Sequence, residues 1–159
     1  MKKSVFILLI LASFSLTAQQ ISKNALGIRI GSNSGIGLEV SYQKAAGYSN
    51  RYEFNVGYND NNNASLFRAV GLYEWVWNLD EGFNWYAGVG AGVGLWDADN
   101  TIVEDDGLFI NGAGNIGLEY DFPSPLLISL DLRPELRLIG DYGEDTLQTN
   151  LGLSFRYQF

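Results

Sequence analysis

The chain has 159 residues, a length typical of a single domain. It carries 10 basic and 18 acidic residues, and this excess of negative charge argues against nucleic acid as a partner. It has no cysteine and no histidine, which excludes a disulfide framework and any site that needs an imidazole.

The first segment, residues 1–18, has the pattern of a secretory signal peptide. Met1-Lys2-Lys3 is basic, an apolar run follows from Val5 to Ala12, and the segment ends in the small residues of "SLTA". The apolar run is well short of the ~20 residues that a membrane-spanning helix needs. We therefore predict cleavage after Ala18 or one residue later, which leaves residues 19–159 as one domain.

The rest of the chain alternates between apolar and polar residues with a period of two, which indicates strands. Short turns ("KAAGYS", "NLDEG", "DFPSP") alternate with other connections, of which "DADNTIVEDDG" and "GDYGEDT" are longer and acidic. This pattern predicts an all-β, antiparallel up-and-down meander. The eight predicted strands are 25–33, 35–44, 50–58, 65–77, 83–96, 108–122, 126–139 and 146–159.

The two faces of these strands differ sharply in chemistry. In "LDLRPELRL", residues 130–138, leucine or proline occupies every even position and charged residues lie between them. All six arginines of the chain, and six carboxylates, fall on the face without hydrocarbon. We predict that these residues form a charge network: Arg29, Glu39, Arg51, Glu53, Arg68, Glu74, Glu119, Asp131, Arg133, Glu135, Arg137 and Arg156.

A balanced set of arginines and carboxylates suits a confined interior, where the charges can pair. The interior of an eight-stranded barrel is just wide enough for side chains to fill it. Facing the same charges towards a bilayer would cost about 2–4 kcal/mol for each arginine near the midplane. We therefore predict an eight-stranded transmembrane β-barrel with a polar interior filled by side chains. The alternative is a secreted, soluble lipocalin-like barrel whose apolar face lines a ligand cavity.

Aromatic residues support the membrane interpretation. Many of them fall at one predicted rim, as in the aromatic girdles found at lipid–water interfaces. The girdle residues are Tyr42, Tyr52, Trp75, Trp77, Trp85 and Tyr120. The chain finishes on "LGLSFRYQF", in which Leu153, Phe155, Tyr157 and Phe159 occupy every second position. This looks like the C-terminal strand signal of bacterial outer-membrane barrels.

Taken together, residues 19–159 resemble the small eight-stranded outer-membrane barrels of the OmpX and OmpA-membrane-domain kind, and especially the short porin-family barrel proteins of Bacteroidetes. The resemblance implies Sec-type export, the outer membrane of a Gram-negative cell as location, and both chain ends in the periplasm. It also implies insertion by the barrel assembly machinery, outer-membrane lipid as the surroundings, a monomeric state, and a narrow or plugged interior.

Three functions follow from these patterns. The first is a non-enzymatic outer-membrane barrel with a structural or surface-interaction role; the second is a narrow porin-like channel for ions or small polar solutes; the third is the soluble ligand carrier. Enzymes known among outer-membrane barrels rely on histidine, so we expect no catalytic residue, and we expect no metal centre and no cofactor. The acidic loop 97–106 raises the hypothesis of divalent cations that bridge it to lipid headgroups. Finally, Pro134 lacks an amide in mid-strand, and we predict a β-bulge there.

Overall fold

The computed structural model describes residues 21–32, 37–61, 64–98, 105–140 and 146–159, and it contains all eight predicted strands. The signal peptide and much of the acidic loop 97–106 lie outside these ranges. No helix of the length and apolarity needed to cross a membrane occurs in this part of the chain. The strands are β1 (Asn24–Gly31), β2 (Gly37–Ala45), β3 (Asn50–Asn61), β4 (Ala64–Asp80), β5 (Phe83–Ala98), β6 (Asp105–Asp121), β7 (Leu126–Ile139) and β8 (Leu147–Gln158).

The strands close into a barrel in sequence order. Each strand pairs antiparallel with the next, and β8 pairs with β1 along a seam that runs from Ala25 opposite Gln158 to Gly31 opposite Gly152. The β2–β3, β4–β5 and β6–β7 connections lie at one end, which we call the turn end. The β1–β2, β3–β4, β5–β6 and β7–β8 connections lie at the other, the loop end. The predicted fold class is confirmed.

Four strands extend further towards the loop end than the sequence pattern predicted. Residues 59–61, which lie beyond the predicted third strand 50–58, continue β3 and pair with residues 64–66 of β4. Asp97 and Ala98 likewise pair with Asp106 and Asp105. Ladder hydrogen bonds join backbone groups, so a polar sequence does not by itself end a strand pair. At the opposite end, β4 continues to Asp80 and leaves only Glu81 and Gly82 as the turn, with Gly82 at a positive φ of 77° that glycine adopts without strain.

The predicted bulge at Pro134 is wrong. The register is the same on both sides of this residue: Ala113 lies opposite Glu135, and Ile116 opposite Leu132. The β6–β7 ladder instead lacks partners at the two positions between these pairs, where Pro134 has no amide to donate. Gly114 lies across from the proline, and a Cβ there would come within 3.3 Å of the ring, so the glycine makes room for it. The register shift of this strand pair lies nearer the loop end, beside Ile110.

The direction of the two faces is clear along β7. Leu132 and Leu136 are 46% and 47% exposed, whereas Arg133 between them has no exposed surface. The same alternation continues on β8, where outward leucines and aromatics flank the inward Ser154 and Arg156. Hydrocarbon therefore covers the outside of the barrel and charge fills the inside. This geometry excludes the soluble-carrier alternative, which needs leucines around a hollow interior.

Candidate functional site: the ion-paired barrel interior

The first feature of the interior is a network of eight charged side chains that crosses the barrel. Each member is joined to another by at least one ion pair, and the four arginines balance the four carboxylates. The members, which we call the eight-residue network, are Arg29, Glu39, Glu53, Arg68, Asp131, Arg133, Glu135 and Arg156.

Glu39 on β2 is the main junction of this network. Its two carboxylate oxygens accept hydrogen bonds from Arg29 at 3.3 Å, Arg68 at 2.5 Å and Arg133 at 3.0 Å. The three guanidinium groups come from β1, β4 and β7, so a single carboxylate connects four strands across the interior. A buried charge of this kind is stabilised only when its partners are also held in place.

Two of these arginines, Arg29 and Arg68, each contact a second carboxylate as well. Arg29 donates through Nε and Nη2 to Asp131, with the shortest contact at 2.5 Å. Arg68 donates through Nη1 to both oxygens of Glu135 at 3.1 Å. These two arginines therefore do not depend on Glu39 alone for their counter-charge, and a planar guanidinium with several donors is suited to bridging two carboxylates.

Glu53 on β3 is the second junction and lies closer to the turn end. It pairs with Arg156 at 3.0 Å and with Arg133 at 3.5 Å. The amides of Gln43 and Asn55 donate to its two oxygens at 2.6 and 2.9 Å. Arg156 also donates to the hydroxyl groups of two serines, Ser41 at 2.8 Å and Ser129 at 2.7 Å.

A separate three-residue cluster lies near the turn end. Arg51 pairs with Glu74 and with Glu119, each at 2.7 Å, and its guanidinium also lies 4.7 Å from the centre of the Tyr86 ring. Arg51 is the only cation within ion-pair distance of either carboxylate among the described residues. Asn115 donates to Glu74 at 2.7 Å. This three-residue cluster carries one more negative than positive charge.

Glycines make room for the charged groups. A Cβ at Gly152 would lie 2.3 Å from the guanidinium carbon of Arg29, and a Cβ at Gly88 would lie 2.8 Å from Cγ of Glu74. A methyl group at either position would overlap a buried side chain. Gly152 and Gly88 thus leave the space that Arg29 and Glu74 occupy.

The structure brings together eleven of the twelve residues predicted for the network, in the eight-residue network and the three-residue cluster. Arg137, the twelfth, is half-buried near the loop end of β7. Sequence reasoning missed an apolar cluster inside the barrel, formed by Val70, Leu72 and Ala113 on β4 and β6. The signal was present, because Val70 and Leu72 have the same strand parity as Arg68 and Glu74.

Two cavities found in the described part of the barrel interior are small. A cavity of about 30 Å³ at the loop end is lined by Glu39, Arg68 and Asn150, among others. One of about 10 Å³ at the turn end is lined by Arg51 and Glu119, among others. Cavities of this size hold at most a few water molecules.

The predicted girdle residues lie on the outer surface near the turn end. The rings of Trp77 and Trp85 stack with their centres 4.3 Å apart, and Tyr73 joins Tyr52 and Trp75 through edge contacts at 5.3 and 5.2 Å. The residues of the predicted assembly signal, Leu153, Phe155, Tyr157 and Phe159, also face outward. Their role in assembly remains a prediction.

Comparison with known proteins identifies the architecture. No protein-family model and no curated protein matches the chain by sequence. Solved structures do match. The N-terminal β-barrel domain of Pseudomonas aeruginosa OprF has a TM-score of 0.73 at 13% identity, over 88% of this chain and 98% of that one. Neisserial surface protein A has a TM-score of 0.62 at 12% identity, over 86% and 94%. Ail, the attachment invasion locus protein of Yersinia pestis, has a TM-score of 0.58 at 14% identity, over 87% and 97%. At these identities the likeness establishes the outer-membrane barrel fold, which is shared by proteins with different roles.

Proposed function

We propose that this protein is a non-enzymatic, monomeric barrel of the Gram-negative outer membrane, closed to solutes, with a structural or surface-interaction role. The eight-residue network carries the proposal, because it ties strands together across the interior where a channel would need an open path. Export by a signal peptide and insertion by the barrel assembly machinery belong to the same proposal.

The outer surface supports placement in a membrane. Apolar side chains such as Leu132, Val89 and Leu118 are about half exposed, and an aromatic girdle marks the turn end. A large apolar surface exposed on a barrel needs an apolar partner that shields it from water. A lipid bilayer surrounds the whole wall of a barrel and can therefore cover this surface on every strand. In this arrangement the turn end lies in the periplasm and the loop end faces outside the cell.

The charge of the loop end narrows the possible surface partners. Ail has been crystallised with the heparin analogue sucrose octasulfate, a polyanion. In the present chain the loop-end segments 59–64, 97–107 and 140–146 contain nine aspartates and glutamates and neither lysine nor arginine. A polyanion would be repelled there, so a surface partner of this protein is expected to be neutral or cationic.

A narrow channel is the second candidate, and one observation favours it. Several buried polar atoms in the described interior have no hydrogen-bond partner, among them Oδ1 of Asn55, the hydroxyl of Tyr86 and Nε of Arg133. Buried polar groups of this kind are commonly satisfied by water. A continuous file of water would permit passage of very small solutes.

Planar-bilayer conductance distinguishes the two candidates. We expect no steady current from the wild-type protein and a measurable current from R29S/R133S, which removes two buried guanidinium groups from the middle of the eight-residue network. The matched control is L132A, which changes the lipid face beside Arg133 and should give no steady current. A steady wild-type current would overturn the closed barrel in favour of the channel. Heat-modifiable gel migration before reconstitution checks that every variant is folded.

A further inference from the structure

Thr149 is an exception on the outer wall of the barrel. It has the outward parity of β8, between Leu147 and Leu151, and its side chain is exposed. Apart from the first two and last two residues of each strand, every other outward residue of the described strands is aliphatic, aromatic, glycine or proline. The hydroxyl has no hydrogen-bond partner among the described residues. Because a hydroxyl without a partner is unfavourable against hydrocarbon, we expect its partner to come from outside the chain.

The outward row that contains Thr149 is made of short side chains. Pro134 lies directly opposite Thr149 on β7, and Gly114 lies across from the proline on β6. This is also the row in which the β6–β7 ladder lacks partners. The rows on either side carry paired leucines: Leu136 with Leu147, and Leu132 with Leu151. The Thr149 row is therefore a shallow groove between two rows of longer side chains.

A depression in the outer wall continues from this groove towards the turn end. Its volume is about 540 Å³, which lies within the range of small-ligand sites. Leu132 and Leu151 line the edge beside the Thr149 row, and Trp85 of the aromatic girdle lines it as well. The outward side chains of the lining are all apolar, so the depression is suited to an acyl chain.

The depth of Thr149 matches the level at which acyl chains are joined to a lipid headgroup. Thr149 lies eight positions before Tyr157 at the turn end. At about 3.4 Å per residue and a strand tilt of about 40°, these positions span roughly 20 Å of an apolar band that is about 25 Å tall. Thr149 is therefore roughly 5 Å inside the loop-end boundary of the band. A hydroxyl at this depth can donate to the carbonyl of an ester or amide linkage.

We propose that Thr149 donates a hydrogen bond to an acyl-linkage carbonyl of lipid A in the leaflet at the loop end, with the acyl chain in the adjoining depression. The loop-end leaflet is the outer one in the placement proposed above, and the acyl chains of lipid A are joined through ester and amide groups. The proposal rests on that placement, but it does not depend on whether the interior conducts.

The test compares two lipids that differ only in this carbonyl. The protein is folded in an alkyl maltoside and titrated, under native mass spectrometry, with diester phosphatidylcholine and in parallel with its diether analogue. One hydrogen bond predicts a preference for the diester lipid of roughly threefold to tenfold. The preference should disappear in T149V, which removes the hydroxyl but keeps the branched shape, and it should persist in T149S. The matched control is L153V, on the same face of β8, which should retain the preference.

Lipid A should displace the bound diester lipid from the wild type. The proposal is overturned if the wild type binds the diester and diether lipids equally, if T149V keeps the preference, or if lipid A does not displace the diester lipid. Loss of heat-modifiable migration in the wild type would instead refute the membrane placement itself.

Discussion

Replacing Arg51 by glutamine should destabilise the barrel more than any single change at the main junction of the eight-residue network. R51Q leaves Glu74 and Glu119 buried, and Arg51 is the only cation within ion-pair distance of either in the described structure. Removing one partner of a buried pair costs about 3–5 kcal/mol. Because two carboxylates lose their cation at once, we expect the loss in free energy of unfolding to reach the upper end, about 5 kcal/mol.

The comparison variant is E39Q at the main junction. Although Glu39 contacts three arginines, each of them keeps another acid: Arg29 keeps Asp131, Arg68 keeps Glu135, and Arg133 keeps Glu53. We therefore expect E39Q to cost only about 3 kcal/mol, the lower end of the same range. The loss of stability is therefore expected to follow the number of charges left without a partner, and not the number of contacts that the replaced residue makes.

The measurement is urea unfolding in detergent micelles, followed by tryptophan fluorescence and by gel migration. E81Q, on the exposed β4–β5 turn, is the control and should stay within about 0.5 kcal/mol of the wild type. If E39Q proved as damaging as R51Q, or more so, the reasoning from unpaired charges would be refuted.

Two further predictions concern backbone positions. G152A should lower the free energy of unfolding by about 1–3 kcal/mol, because its methyl group overlaps Arg29. The control G112A should be nearly neutral, because the closest atom to its Cβ is 3.8 Å away. Equal urea midpoints for the two variants would contradict the steric argument. P134A should raise the free energy of unfolding by about 1 kcal/mol, because alanine supplies the amide missing from the ladder opposite Gly114. A urea midpoint lower than that of the wild type would show that this amide has no acceptor on β6.

The sequence was sufficient to predict the fold class and the direction of both faces. On β7 and β8 nearly every outward position is apolar or aromatic, with Thr149 as the exception, and every charged residue falls on the opposite parity. The balance of arginine with carboxylate added a second, independent indication. Side-chain parity depends only on position in the strand, so it can be read without knowing which strands face each other.

The pairing partners could not be predicted in this way. Arg29 contacts Asp131, 102 positions along the chain, because barrel closure brings β1 near β7. Such a contact depends on the register and tilt of all the strands together, which a linear pattern does not contain. The division into an eight-residue network and a three-residue cluster, with Val70 and Leu72 inside the barrel, depends on the same three-dimensional information.

The seam between β1 and β8 has a consequence for folding. Arg29 on one side of it reaches Asn150 on β8, and Arg156 on the other side reaches Ser41 on β2. Before the two chain ends meet, the sheet is an open ribbon in which the pairs across the barrel, such as Arg29 with Asp131, have not formed. Its charged face is then unshielded, and contact of that face with lipid is unfavourable. Docking of the last strand to the first therefore completes the hydrogen-bond ladder and encloses the charged side chains in the interior in one event. Full insertion into the membrane therefore has to follow or coincide with closure of the barrel. A chain that has not closed would remain at the membrane–water interface.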